Sequence, residues 1–193
     1  MLRPSIRAHG FQRAADELRE LLAQGRLDGR HVEARLSAHD LELLETKLDP
    51  DAWVPIESHA RVLDLLADAA RGDRAAFHRT RGMRMGEDLA CLDEEPSEAD
   101  AEATAGDRVL LPARLVTRSQ RELYSFMSWH VEAGSRPDSF VIRLEQAAAL
   151  PLATQQALEG MAAYAAAYVL DARFVVSSRR PAPDRVRVEG WRR

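Results

Sequence analysis

Residues 124–146, YSFMSWHVEAGSRPDSFVIRLEQ, contain two runs in which apolar and polar residues alternate. The first run is centred on Trp129 and the second on Ile142, and a spacing of two is typical of strands with one buried face. A turn cluster at residues 134–138, which contains Gly and Pro, separates the two runs. The stretch therefore predicts a β-hairpin with a five-residue loop, although residues 121–131 also fit a helical stripe.

Two further alternating runs follow at residues 172–178 and 185–191, and a proline-rich turn joins them. Between the hairpin and these runs, Pro151 precedes a long Ala-rich stretch that predicts a helix able to lie close to a sheet. The order of these segments predicts ββαββ, in which four antiparallel strands are backed by helices.

The first 92 residues are predicted to be helical, because their apolar residues recur at every third or fourth position. Ser37 is placed to cap one helix. The segment Trp53-Val54-Pro55 is predicted to open another, with Pro55 in the first turn. Residues 93–107 carry seven acids and no base, which predicts a solvated loop.

These patterns together predict one α+β domain spanning residues 1–193, with an N-terminal helical bundle packed on a C-terminal four-stranded antiparallel sheet. Its parts are a helical half (1–92), the acidic loop (93–107) and a half made of one helix plus ββαββ (108–193).

The amino-acid composition indicates the cellular compartment of the chain and the classes of partner it can bind. A net charge of −4 argues against nucleic acid as the main partner, since a phosphate-binding surface needs a basic excess. Cys91 is the single cysteine, which favours a reducing compartment. The longest apolar stretch, residues 161–170, is too short to span a bilayer. We therefore expect a cytoplasmic protein without a membrane partner.

Motifs that carry chemistry are missing from the sequence. The six histidines form no zinc-binding pattern, and there is no P-loop, G-x-S-x-G or G-x-G-x-x-G motif. Cys91 is followed by three acids, which would raise the pKa of its thiol and oppose a nucleophilic role. As single haem ligands, His59, His78 and His130 are the candidates, although an ordinary imidazole is the commoner role. We expect no catalytic residue, no metal site and no enzymatic activity.

Gly82 and Gly86 lie four residues apart inside a predicted helix, where each costs about 1 kcal/mol relative to Ala. Close approach of a neighbouring helix or of a ligand is the usual compensation. Apolar residues of this helix, the hairpin and the Ala-rich helix could line a pocket between the sheet and the helices. We predict that these residues bind a small apolar ligand: Phe77, Met83, Gly86, Trp129, Met161 and Tyr164.

The last two predicted strands are rich in arginine, with only Asp184 and Glu189 as acids. Charges on an edge strand prevent aggregation of sheets, and this is one interpretation of the pattern. Attraction of nucleic acid or of an acidic partner is the other.

The order of several motifs resembles a family of uncharacterised domains that is abundant in myxobacteria. The resemblance covers residues 40–193 and depends on a W-x-P before a helix, two helical glycines, a hairpin, an LP…EG pair and a final Trp. The residues that carry it are Trp53, Pro55, Gly82, Gly86, Leu150, Pro151, Glu159, Gly160 and Trp191. The order of helices followed by ββαββ is, more distantly, similar to haem nitric-oxide sensors, 4-vinyl-reductase-type sensor domains and TRAPP vesicle-tethering subunits.

This resemblance implies a domain that binds a small apolar ligand or a protein partner, often as a dimer, and that catalyses no reaction. The Tyr-x-Ser-x-Arg propionate clamp of the haem sensors is absent, because residues 124–128 read YSFMS. The cysteine cluster of the vinyl-reductase-type domains is also absent. We therefore expect neither haem nor another cofactor.

Our leading hypothesis is a non-catalytic sensory or regulatory module that binds a small apolar ligand and forms a homodimer. The alternative is a protein-interaction or dimerisation module without a ligand. A haem-binding gas sensor is the third hypothesis.

Overall fold

The computed structural model describes residues 3–70, 72–92 and 105–193. Its residues divide into two units, Met1–Phe77 with Leu123–Phe126, and His78–Glu122 with Met127–Arg193. Most of the predicted acidic loop, residues 93–104, lies outside the described residues.

The first unit consists of four helices and a small two-stranded sheet. Its elements are β1 (Ser5–Arg7), α1 (Ala8–Ala23), α2 (Gly29–Arg35), α3 (Ala38–Glu45), β2 (Trp53–Pro55) and α4 (Ile56–Ala69). Helix α1 packs against α4, and fully buried side chains such as Phe11 and Leu63 form the core. The predicted cap of α3 is confirmed, because the Ser37 hydroxyl accepts a hydrogen bond from the Asp40 backbone N–H at 3.2 Å.

Strands β1 and β2 were not expected from the sequence. They pair antiparallel, with Ile6 opposite Val54, and Pro55 is the residue before α4 instead of a residue of its first turn. A strand of three residues is too short to show an alternating pattern of apolar residues. Pro55, the last residue of β2, is also a typical residue at the start of a helix. The segment at Tyr124 joins this sheet through an isolated bridge to Ile6.

The second unit contains a four-stranded antiparallel sheet and several helices. After α5 (Arg74–Leu92), whose first turn belongs to the first unit, come α6 (Ala105–Arg108), α7 (Leu111–Arg121), β3 (Ser128–Ala133), β4 (Ser139–Glu145), a 3₁₀ turn (Ala147–Ala149), α8 (Leu152–Leu170), β5 (Phe174–Ala182) and β6 (Arg185–Arg192). Asp73 caps α5, because its carboxylate accepts a hydrogen bond from the Ala75 N–H at 2.8 Å.

The strand order is β3-β4-β6-β5, so the predicted ββαββ arrangement is confirmed. The helix α7 ends at Arg121 and β3 begins at Ser128, which settles the ambiguity of residues 121–131 in favour of the hairpin. Residues 134–138 form its loop, as predicted, with Asp138 at a φ of 50°. The α+β class, with helices in the N-terminal part and a four-stranded sheet in the C-terminal part, is confirmed.

The two faces of the four-stranded sheet have different compositions. One row across the strands joins Val131, Ile142, Val188 and Ser178, and the middle two are fully buried. We call this side the inner face. The helices α7 and α8 both contact strands of the sheet. The neighbouring row, on the other side, is mostly charged, and we call that side the outer face.

Candidate functional site

The helices α5 and α8 of the second unit approach each other through glycines. A Cβ atom added to Gly82 would lie 1.9 Å from the carbonyl oxygen of Ala157. One added to Gly160 of α8 would lie 1.9 Å from the carbonyl oxygen of Arg79. Real Cβ atoms do not approach an oxygen so closely. The cost of glycine inside α5 is therefore offset by a helix–helix contact in which the two backbones touch.

Three of the predicted ligand-binding residues meet at this crossing. A Cβ on Gly86 would lie 3.0 Å from the Tyr164 Cβ and 3.3 Å from the Met161 carbonyl oxygen. Met161 is fully buried, whereas Tyr164 is half-buried and stacks on Tyr168 with ring centroids 6.3 Å apart. Met83 lies on the same stretch of α5 and is 47% exposed, so a ligand could reach its side chain.

The other two predicted residues lie elsewhere. Trp129 is half-buried on the inner face of β3, where it faces Leu144 on the neighbouring strand. Phe77 is half-buried and belongs to the first unit. Four of the six predicted residues therefore belong to the stretch where α5 and α8 cross, and these two do not.

A buried polar cluster between α8 and β5 was not predicted. The Ser178 backbone N–H donates to Glu159 Oε1 at 2.8 Å, and Gln155 Nε2 donates to the Ser178 hydroxyl at 2.8 Å. Arg79 Nε donates to the other carboxylate oxygen of Glu159. Glu159 and Gln155 are four residues apart, so they share one face of α8. That spacing is the only sequence signal for the cluster, and it identifies no partner.

Two acceptor atoms near the start of α8 are buried without a hydrogen bond. Within the described part of the chain, Gln155 Oε1 and Thr154 Oγ1 have no partner, and their residues are 5% and 6% exposed. Burial of such atoms costs roughly 1–3 kcal/mol each. Each atom could accept a hydrogen bond from an internal water molecule or from a donor group on a ligand.

The first unit holds a buried ion pair between two helices. Asp40 is fully buried and accepts two hydrogen bonds of 2.7 Å from Arg61, one to each carboxylate oxygen. Burial by itself would raise the pKa of Asp40, but the hydrogen bonds from Arg61, Ser37 and Ser58 outweigh it and hold the pKa well below 3.8. The same contact raises the pKa of Arg61. The hydrogen bonds join Asp40 of α3 to Arg61 of α4, so this pair stabilises the packing of the two helices.

The histidines named above occupy different environments. His59 and His78 are buried, whereas His130 is exposed on β3 with its Nε2 3.8 Å from Glu145 Oε2. Among residues 3–70, 72–92 and 105–193, no group of three His, Cys, Asp or Glu residues is arranged to hold a metal ion.

The segment that would carry a haem propionate clamp has other contacts here. Tyr124 forms a backbone bridge to Ile6, and the Ser125 hydroxyl accepts a hydrogen bond from the Ser5 backbone N–H at 3.0 Å. Phe126 and Ser128 stand at the third and fifth clamp positions, where the clamp needs a hydroxyl and a guanidinium. The residues present therefore do not fit this mode of haem binding.

The fold is similar to that of H-NOX proteins. The crystal structure of the Fe(II) unliganded H-NOX protein from K. algicida matches with a TM-score of 0.62 and 8% identity, over 97% of both chains. A point mutant of that protein matches with a TM-score of 0.61 over the same share of both chains. A mutant of the T. Tengcongensis H-NOX matches with a TM-score of 0.58 and 7% identity, over 97% of this chain and 98% of that one. The distant similarity of fold to haem nitric-oxide sensors, noted from the order of elements, is thus confirmed.

No protein-family model matches the chain, and no curated protein does. Within the described residues, none of the helices combines the length and the apolar character needed to cross a membrane.

Proposed function

We propose that this protein is a non-catalytic sensory or regulatory module that binds a small apolar ligand. The observation that carries the proposal is the similarity of fold to H-NOX proteins along 97% of both chains. One of those crystal structures is of an H-NOX protein in its Fe(II) unliganded form. The clamp residues differ here, so the proposed ligand is an apolar molecule other than haem.

The proposed contacts lie beside the α5–α8 crossing. At Gly82 and Gly160 the backbones touch, and this leaves no room for a ligand between them. Met83 and Tyr164 flank that contact and are both accessible. Trp129, on the inner face of the sheet, belongs to the proposal as a further contact. Phe77 lies in the first unit and stays a prediction from the sequence.

Two measurements test the proposal. Native mass spectrometry of freshly purified protein should show an additional small-molecule mass that is lost on denaturation. The neutral apolar dye Nile red should gain fluorescence on binding, and Met83→Gln should weaken that binding more than Leu152→Gln. Leu152 is a matched control because it is an apolar helical residue, 64% exposed, and outside the candidate set. Equal effects of the two substitutions, with no co-purified molecule, would contradict the proposal.

The alternative function, a dimerisation module without a ligand, is favoured by one observation. Tyr168 of α8 is 57% exposed and stacks on Tyr164, and exposed tyrosines are enriched at protein interfaces. Under this alternative, sedimentation equilibrium should give a dimer that Tyr168→Glu dissociates, while Nile red binding is absent. Homodimer formation combined with ligand binding would be compatible with the leading proposal.

The proposal also includes a cytoplasmic location and the absence of a nucleic-acid partner. The single cysteine and the net charge of −4 support these two parts.

A further inference from the structure

A row of three arginines and one histidine crosses all four strands of the outer face. Cross-strand pairing places Arg143 opposite Arg187, which in turn is opposite Arg179 on β5. The row ends at His130, the partner of Arg143 on β3. Neighbouring strands are about 4.8 Å apart, so each arginine has another as its direct neighbour. Like charges in this position destabilise a sheet.

Carboxylates on the same face compensate part of this charge. Glu132 lies 3.5 Å from Arg143 and 3.8 Å from Arg187, measured from carboxylate oxygen to guanidinium nitrogen. Glu189 lies 3.6 Å from Arg187. These carboxylates are grouped around the β3, β4 and β6 part of the row, so among the described residues they leave the charge at its β5 end uncompensated.

The uncompensated charge lies where β5 and β6 are joined. Arg185 is two residues from Arg187 on β6 and therefore on the same face, about 7 Å along the strand. Glu145 is opposite Arg185 in the register, but the ion-pair contact of its carboxylate is with His130, at 3.8 Å.

Both ends of this junction are accessible to a partner. Arg179 and Arg185 are exposed, and neither has a carboxylate within ion-pair distance in the described ranges. Arg187 Nε is buried and makes no hydrogen bond to any described residue. We call Arg179, Arg185 and Arg187 the arginine corner.

We propose that the arginine corner binds an acidic segment of a partner polypeptide, through its Asp and Glu side chains. Guanidinium groups bind carboxylates through two parallel hydrogen bonds. The exposed Arg179 and Arg185 each lie within about 7 Å of Arg187, across or along the strands, and this spacing suits a run of acids. A phosphodiester backbone is disfavoured, because Glu132 and Glu189 share the face and the chain carries a net charge of −4. The partner would relieve the repulsion that the row imposes on the folded sheet.

Fluorescence anisotropy with a fluorescein-labelled hexaglutamate peptide tests this proposal on the full chain. Wild-type protein should bind the peptide at low salt, and the affinity should fall steeply as sodium chloride is raised to about 0.3 M, where exposed charges are screened. The double variant Arg179→Glu/Arg185→Glu should bind at least about tenfold more weakly, since each lost charged hydrogen bond accounts for roughly a factor of ten.

The matched control is Arg26→Glu/Arg84→Glu, which makes the same change in net charge at two exposed arginines outside the sheet. Compared with wild type in about 0.1 M sodium chloride, it should bind within about twofold, because charges more than about 10 Å away are largely screened at that ionic strength. Circular dichroism establishes that both variants fold, and Arg179→Gln/Arg185→Gln provides a milder version if reversal does not.

Three results would overturn the proposal. The wild-type protein could fail to bind the peptide, or the control could lose as much affinity as the corner variant. A thymidine dodecamer that binds more tightly than the peptide and is lost in the corner variant would reassign the corner to nucleic acid. Nile red binding should be the same in the corner variant and in wild type, so this test is independent of the apolar site.

Discussion

The two units join their helices by opposite means. In the first unit, the long side chain of Arg61 on α4 reaches the buried carboxylate of Asp40 on α3. In the second, Gly82 of α5 and Gly160 of α8 have no side chains, and the two backbones touch. The first contact joins two helices through a charged pair of side chains, and the second joins two helices through direct contact of their backbones.

This difference determines what each contact tolerates. A side-chain pair between helices can adjust through several rotatable bonds, so it is sensitive to chemistry and less sensitive to volume. A backbone contact has no such freedom and is sensitive to a single methyl group. The comparison is therefore testable with substitutions that change volume at one site and charge at the other.

The largest effect is expected for Gly82→Ala. The new Cβ would lie 1.9 Å from the Ala157 carbonyl oxygen and 2.8 Å from the Ala157 Cα, both of which belong to backbone. The helices must separate, and we expect a loss of at least about 3 kcal/mol in the free energy of unfolding, the upper range for overpacking. Urea denaturation followed by circular dichroism measures it.

Gly29→Ala is the control for this substitution. Gly29 also lies in a helix, α2, and no atom lies within 4 Å of its added Cβ. Alanine there should leave the stability unchanged or raise it by up to about 1 kcal/mol, because it favours the helix. Destabilisation of the same size by both changes, or a gain in stability for Gly82→Ala like that expected for Gly29→Ala, would contradict the argument for backbone contact.

Much of the fold could be predicted from the sequence, because its signals are local. Three of these signals depend only on residues close in the chain: the alternation around Trp129 and Ile142, the turn at residues 134–138 and the cap at Ser37. The pair β1–β2 could not be predicted, since it joins Ser5–Arg7 to Trp53–Pro55 and each strand has only three residues.

The candidate site was less predictable, because its contacts are distant in sequence. The glycines of α5 indicated that something approaches closely, but only the structure identifies Ala157 and Gly160 as the neighbours. Glu159 and Ser178 are separated by 19 residues, and no pattern pairs them. The arginine corner could not be predicted, because it depends on the register in which β5 pairs with β6, and the sequence of one strand alone does not determine that register.

The charged contact is tested by Asp40→Asn. The amide keeps the volume but cannot pair with Arg61 as a carboxylate does, and a fully buried group is left poorly satisfied. Loss of one partner of a buried pair costs about 3–5 kcal/mol. Because the Arg61 side chain is 39% exposed, we expect about 2–3 kcal/mol here.

Asp16→Asn is the matched control for this change. Asp16 pairs with Arg19, but its side chain is 71% exposed, and exposed pairs contribute at most about 1 kcal/mol. Chemical denaturation of both variants at neutral pH makes the comparison. If the two substitutions cost the same, the buried pair contributes no more than an exposed one.

The pH dependence of stability separates the two contacts further. The pKa of Asp40 is lowered in the folded state, so its contribution is fully present above 3.8, the ordinary value, and is lost as the pH falls towards the folded pKa. The difference in stability between wild type and Asp40→Asn should therefore be constant above about pH 4 and shrink as the pH falls from about 4 towards 2. The difference between wild type and Gly82→Ala should stay constant, since no titrating group is involved. Denaturation curves at several pH values measure both, and a constant difference for Asp40→Asn would contradict the assignment.

The smallest effect is expected for an arginine contact inside the second unit. Arg180 on β5 donates to the carbonyl oxygens of Ala147 at 3.0 Å and Leu150 at 2.8 Å, which precede α8. Its side chain thus links β5 to the segment before α8, as Arg61 links α4 to α3, but its partners are neutral and Arg180 is exposed. We expect Arg180→Met to cost about 1 kcal/mol.

Arg179→Met is the neighbouring control, and its expected sign is opposite. Arg179 faces Arg187 across the strands, so its removal relieves repulsion and should raise the free energy of unfolding by a few tenths of a kcal/mol, the scale of exposed cross-strand pairs. Thermal melts of the two variants, measured side by side at low salt, decide the signs. If the melting temperature shifts in the same direction for both variants, the position on β5 matters more than the contacts. A gain in stability for Arg179→Met that vanishes in high salt would confirm its electrostatic origin, since exposed charges are then screened.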